Sequence, residues 1–223
     1  MVENTFCERG PLGLLSFAFS TLTCKIRSAD GSADQCRIYQ ILICTAGDRG
    51  AMNFKEVLAG RRSVRRYADR PVGREQVASL LEAAEAAPSA GNLRAREYYV
   101  VTRPELKAAL AAAAFGQEHV AAAPVVVVVC ADPARSGRRY GDRGQLYSIQ
   151  DAASATTCLL LAAFDMGLSG CWTGAFDELM VRDILSLPRR LVPTAIVPIG
   201  WPAERPAPPP GRDMTEAIHW IEG

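Results

Sequence analysis

The sequence predicts one globular domain of mixed helix and strand, and three stretches carry that expectation. Residues Val125 to Cys130 form an unbroken apolar run rich in β-branched side chains, the pattern of a central strand buried on both faces. Val77, Leu80, Leu81 and Ala84 recur at helical spacing. From about Tyr147 to Met166 the chain is apolar or small nearly all round, so a helix there must be buried, in the core or against a second subunit. With 223 residues, 49% of them apolar, there is material for one such domain, or for one domain with an appendage.

The elements follow in order from Met52. A short amphipathic helix with Phe54, Val57 and Leu58 stops at Gly60, and Arg61-Arg62-Ser63-Val64-Arg65-Arg66-Tyr67 comes next. Pro71-Val72-Gly73 leads into the helix of Val77 to Ala84, which ends by Pro88. Ala87-Pro88-Ser89-Ala90-Gly91-Asn92 is a turn by composition, and Tyr98 to Val101 reads as a strand. Pro104 opens an Ala-rich helix to about Phe115, and a shorter one spans Gln117 to Ala122. After the central strand, Asp132 to Gly144 reads as a loop with its own charges, Arg135, Arg138, Arg139, Asp142 and Arg143. Beyond the long helix, Gly167 is placed as its C-cap and opens a stretch with three glycines in eight residues. Asp177 is a plausible N-cap for a helix carrying Leu179, Met180, Ile184 and Leu185, and Pro193 to Gly200 reads as a strand. Pro202 to Pro210 is a stiff connector, and the tail with Ile218, Trp220 and Ile221 is suited to packing at a distance.

Residues 1–51 read differently. They hold four of the seven cysteines and sustain no helical or alternating period. A small appended module, a disordered leader and translated upstream sequence all fit. The last is preferred, with the natural start at Met52, because the organised pattern begins abruptly there.

A formal net charge of +1 argues against a general nucleic-acid or membrane-surface role, which needs a broad field of one sign. The apolar run from Leu12 to Thr23 is broken by Gly13, Ser16, Ser20 and Thr21 and is too short to span a bilayer. No cysteine pair has the CxxC spacing of a zinc or redox site, so no metal is expected, and buried or incidental thiols suit a reducing cytosol. His119 and His219 lie far apart and neither has a Ser, Cys or carboxylate motif beside it, which leaves a hydrolase triad without support. Cys171 beside Trp172 reads as packing.

The arginine cluster asks for an anion. Four guanidinium groups and the Ser63 hydroxyl fall within six residues, and the guanidinium fork matches phosphate oxygens. Taken alone it reads equally as a solvated basic turn. Three segments in order break the tie: Arg61-Arg62-Ser63-Val64-Arg65, Ala87-Pro88-Ser89-Ala90-Gly91-Asn92, and Gly167-Leu168-Ser169-Gly170-Cys171-Trp172-Thr173-Gly174. Together with the valine-rich strand and Gln150-Asp151-Ala152-Ala153 between the last two, the chain from about Met52 to Arg212 resembles the FMN-dependent nitroreductase family.

The resemblance implies an α+β fold in which a mixed or antiparallel sheet is wrapped by helices, assembled as an intertwined homodimer with FMN at the interface. By the same likeness Arg61, Arg62, Ser63 and Arg65 hold the FMN phosphate and ribityl chain, joined by Arg212. Pro88, Ser89 and Asn92 approach the flavin from the other subunit, and Gln117 sits where the family often places a polar contact to the ring. Gly174, flanked by Thr173 and Ala175, lets a backbone N–H approach flavin N5. The implied activity is NAD(P)H oxidation with transfer to a nitroaromatic, quinone or similar small-molecule acceptor by a ping-pong mechanism, the flavin carrying the chemistry and no side chain an obligate acid or base. A flavin carrier or sensor with little turnover, and another reaction of the same fold such as reductive dehalogenation or flavin breakdown, stand as alternatives. Asp151 is read as a dipole-favoured carboxylate at the head of the long helix. The sequence departs from the family after Asn92, where Leu93-Arg94-Ala95-Arg96 adds two positive charges expected near the flavin edge or in solvent.

Overall fold

The computed structural model describes residues 52–222; the expectations for residues 1–51 lie outside the described residues. Helix α1 (Phe54–Gly60) starts from a reciprocal cap, with the Asn53 side chain accepting the Glu56 N–H at 3.1 Å and the Glu56 carboxylate accepting the Asn53 N–H at 3.0 Å. Then follow α2 (Arg74–Glu85), β1 (Arg96–Val101), α3 (Pro104–Ala113), α4 (Glu118–Ala122), β2 (Val125–Ala131), α5 (Pro133–Tyr140), α6 (Arg143–Asp165), β3 (Ser169–Gly170), α7 (Glu178–Ile184) and β4 (Val192–Gly200). The strands form one sheet in the order β1-β2-β4-β3, with every neighbouring pair antiparallel.

The valine run does what its pattern requires. Val125, Val127 and Val129 face a core built with α2 and α6, while Val126, Val128 and Cys130 face a second core built with α3, α4 and α7. Each residue of β2 is buried, so the strand is the shared wall of both cores. Helices therefore cover both faces of the sheet, the α+β arrangement expected.

Three expectations need correction. Residues 132–144 are not a loop. Asp132 accepts the Arg135 N–H at 3.0 Å and Pro133 occupies the first turn, so α5 begins with ordinary N-terminal signals that the density of charge outweighed in the reading. It packs on the start of α6 where both chains are bare: a Cβ on Gly144 would meet the Gly137 nitrogen at 2.4 Å. The long helix accordingly begins at Arg143. In α7 the inward residue is Val181, whereas Leu179 and Met180 point outward in the single chain.

Helix α6 buries one face, including Ala152, Ala155, Leu159 and Ala163, and leaves Leu146 and Ile149 exposed on the other. Residues 207–222 are all exposed, with Trp220 and Ile221 among the most exposed apolar side chains.

Candidate functional site

The arginine cluster is laid along β3. The Val64 N–H donates to the Gly170 carbonyl at 3.1 Å, and Ser63 pairs with Gly170 in a parallel bridge. Gly170 has to be bare, since a Cβ there would meet the Pro198 carbonyl oxygen at 2.7 Å. From the other side Glu204 accepts the N–H groups of Arg65 at 2.6 Å and Arg66 at 3.1 Å. The backbone is thereby pinned, and the Arg66 guanidinium also pairs with Glu204 at 3.5 Å. Arg62 is partly committed, donating to the carbonyls of Ala59 and Arg61 at 2.7 Å. Arg61 and Arg65 form no ion pair among the described residues.

The Glu204 carboxyl is held below its ordinary value of 4.5, first by the Arg65 N–H, then by the Arg66 N–H and the two positive charges, against the opposing effect of burial. A depressed carboxyl stabilises the folded state above the ordinary value and loses that contribution as pH falls through the folded value. The anchor is therefore expected to stay intact through mild acid. NMR titration of the Arg65 and Arg66 amides checks this: their inflection should lie below 4.5, and one at or above it contradicts the contact.

The glycine-rich stretch crosses next to the cluster. Thr173 exchanges two backbone hydrogen bonds with Ile196, at 2.9 and 3.0 Å. His119 Nε2 lies 3.1 Å from the Thr173 hydroxyl, and Gln117 Nε2 donates to the Ala175 carbonyl at 3.1 Å. Two side chains from the start of α4 thus grip the residues on either side of Gly174. Burial and then the charge of Arg65 lower the His119 pKa, so the imidazole is neutral at pH 7. The Arg65 contribution also ties the cluster electrostatically to this loop. Gly174 is exposed, and its N–H has no hydrogen-bond partner among the described residues. A Cβ there would make only ordinary contact with the Trp172 indole, so packing within the chain does not account for the glycine.

The third segment, residues 87–95, is held as tightly. Gly91, Asn92 and Arg94 adopt left-handed backbone with φ of 57°, 55° and 47°. The buried Asp151 carboxylate accepts the Ala90 N–H at 2.9 Å and the Ala95 N–H at 3.2 Å, and Ser89 Oγ accepts the Arg94 N–H at 3.0 Å. Beneath lies Arg96, whose guanidinium donates to the carbonyls of Glu85, Ala87, Pro88 and Asp151 and to the Glu85 carboxylate. Two earlier expectations change. Because α6 begins at Arg143, Asp151 sits deep in the helix, where it anchors the loop instead of answering the dipole. Arg96 is buried as a structural clamp, so of the two added charges only Arg94 is exposed.

The structure bridges the cluster to the glycine-rich stretch through Ser63 and Gly170, lets Arg65 act on His119, and ties His119 and Gln117 to Thr173 and Ala175 on either side of Gly174. Pro88, Ser89 and Asn92 make no hydrogen bond or ion pair with either group among the described residues, and Arg212 lies in the exposed tail. Glu204 carries no mark in the sequence, and His119, Asp151 and Arg96 stand out there without the supporting roles they have in the fold. Each acts on a residue distant in the chain, by 54 to 139 positions for His119, Asp151 and Glu204, and no local pattern marks such a contact.

Comparison with known proteins turns on these same segments. The nitroreductase family model matches residues 58–118 and 111–201, which takes in the arginine cluster, the 87–95 loop and the glycine-rich stretch. The chain belongs to the nitroreductase family. Among its relatives, the NADH dehydrogenase of Thermus thermophilus is 34% identical over 199 residues, covering 76% of this chain and 96% of that protein. The oxygen-insensitive NADPH nitroreductase of Salmonella typhimurium is 30% identical over 172 residues, covering 74% and 72%. Of solved structures, the NADPH:FMN oxidoreductase of Vibrio harveyi in complex with NAD+ superposes with a TM-score of 0.70 at 26% identity, covering 75% of this nitroreductase-family chain and 76% of the other.

Proposed function

We propose that this family member is an FMN-dependent NAD(P)H oxidoreductase, working as a homodimer and reducing nitroaromatic, quinone or similar small-molecule acceptors by a ping-pong mechanism. The observation that carries the reading is the bridge from Ser63 to Gly170, which joins a segment holding Arg61 and Arg65, cations with no carboxylate partner among the described residues, to a stretch in which the exposed Gly174 has an N–H that is also unpartnered among them. That donor set suits a ligand with a phosphate at one end and a hydrogen-bond acceptor at the other.

Arg61, Arg62, Ser63 and Arg65 would hold the phosphate and ribityl chain, with Arg212 added from the tail. Thr173, Gly174 and Ala175 would line the ring edge near N5, with Gln117 beside them. When bound, FMN supplies the hydride-accepting and hydride-donating chemistry. The chain's part is position: Gln117 and neutral His119 fix the height of the Gly174 N–H, and Asp151 and Arg96 hold the loop bearing Pro88, Ser89 and Asn92. Those three have no reach to the cluster by any bond within one chain, which is the arrangement expected if they serve the partner's flavin. The outward apolar residues Leu146 and Ile149 on α6, and Trp220 and Ile221 on the tail, supply surface for such a partner. Among the described residues no helix is long and apolar enough to cross a membrane, and Cys130, Cys158 and Cys171 are free thiols; a cytoplasmic setting fits both.

The test is the visible spectrum of the purified protein, followed anaerobically as NADH or NADPH is added. Flavin bands that bleach with either reductant are expected. Bands that persist point to the carrier reading, and a colourless protein that does not take up FMN removes the proposal.

A further inference from the structure

Five arginines around the 87–95 loop are not used by that function. Arg135, Arg138 and Arg139 project from α5, Arg143 begins α6, and Arg94 stands on the loop itself; all five are exposed. Among the described residues none of them pairs with a carboxylate.

Arg94 and Arg135 line an open cleft of about 690 Å3 together with Asn92, Tyr98, Glu85 and Glu97. Both acids are already answered, Glu85 by Arg96 and the Tyr98 hydroxyl, Glu97 by Arg190. The two guanidiniums therefore set the sign of the cleft. Arg135 is held at its guanidinium and Arg94 at its backbone. Arg135 Nη1 donates to the Arg94 carbonyl at 3.2 Å, and Ser89 Oγ accepts the Arg94 N–H. Arg94 is also one of the few non-glycine residues with positive φ, a conformation that a long side chain adopts at a cost and keeps only when its surroundings enforce it. Here the enforcement comes from both sides of a residue that lines the cleft.

We infer that the cleft is an oxyanion-recognition site for a small-molecule substrate, in which Arg94 and Arg135 together bind a phosphate or a carboxylate. The inference rests on the proposed function for its purpose: the cleft begins at Asn92, so an anion held there would place the rest of the substrate toward the flavin that Asn92 borders. Two sources share this chemistry, the phosphates of the pyridine nucleotide and an acidic group on the electron acceptor.

The experiment is calorimetric titration of the protein as purified, and of the Arg94→Asn/Arg135→Gln double variant, with 2′-phospho-ADP-ribose, and with 4-nitrobenzoate against 4-nitrobenzamide. Asn tolerates the left-handed backbone, so the loop is kept. About tenfold or greater loss of 2′-phospho-ADP-ribose affinity in the variant establishes the site and assigns it to the nucleotide. Loss of a nitrobenzoate preference of similar size establishes it and assigns it to the acceptor. Equal binding of all three probes to both proteins overturns the inference. So does an Arg62→Ala variant that loses the same affinity while the double variant does not, since the anion then sits on the cluster. The absorption spectrum of the same samples, before and after addition of FMN, reads the flavin separately: a protein that takes up no FMN and still shows the tenfold loss sinks the proposed function and leaves the oxyanion site standing.

Discussion

Arg96→Met is expected to lower the stability of the folded chain by about 3–5 kcal/mol, one of the largest effects of any single substitution. The side chain is wholly buried, and its guanidinium serves four backbone carbonyls and one carboxylate from three separate stretches: the end of α2, the turn after it and the middle of α6. Removing the donor takes a buried partner from the four carbonyls, each of which costs part of its desolvation, while the half-exposed Glu85 carboxylate keeps only the Tyr98 hydroxyl. In a domain of this size the loss corresponds to a fall in Tm of about 10 °C, read by calorimetry. Arg96→Lys should recover little, because one ammonium with three donors cannot replace a planar fork with five. A change below about 1 kcal/mol in Arg96→Met would mean that the carbonyls find water or that the clamp is redundant.

The second large effect belongs to the cofactor. An Arg61→Ala/Arg65→Ala double variant is expected to weaken FMN binding by a factor of about 10² to 10³, as two charge-assisted hydrogen bonds to a phosphate are lost. The stability of the flavin-free protein should move by less than about 0.5 kcal/mol, because neither side chain forms an ion pair among the described residues and Glu204 grips only the Arg65 backbone. The contrast with Arg96 is the point of the measurement. Fluorescence titration with FMN reads the first quantity and thermal unfolding the second; unchanged FMN affinity would take the phosphate away from this cluster.

The two predictions mark where the sequence was legible and where it was not. The valine run announced a strand covered on both faces because β-branched side chains without alternation have no solvent face to offer, and β2 is the wall between two cores. The segment 132–144 misled for an equally physical reason. A helix of eight residues with Arg135, Arg138 and Arg139 shows no apolar stripe, since what it buries is Ser136 and a close approach of Gly137 to Gly144, and a contact between bare backbones leaves no hydrophobic period to read. Leu179 and Met180 misled in the opposite direction, apolar yet outward in the single chain. At the site, the arginine cluster and Gly174 stood out by composition, while their supports did not.

What the sequence by itself determined is therefore local: the apolar pattern that makes the strands and most helices, the turn residues between them, the grouping of guanidiniums at 61–66 and the bare backbone at 174. The spacing of residue types decides such features, and it is written in the chain. What only the tertiary structure decided is which of the charges are free. Arg94 and Arg96 differ by two positions and look alike in sequence, yet one turns outward on a left-handed residue while the other is buried under five hydrogen bonds. A charge is spent or available according to acceptors that folding brings from distant stretches, and their geometry exists only once the chain has closed on itself.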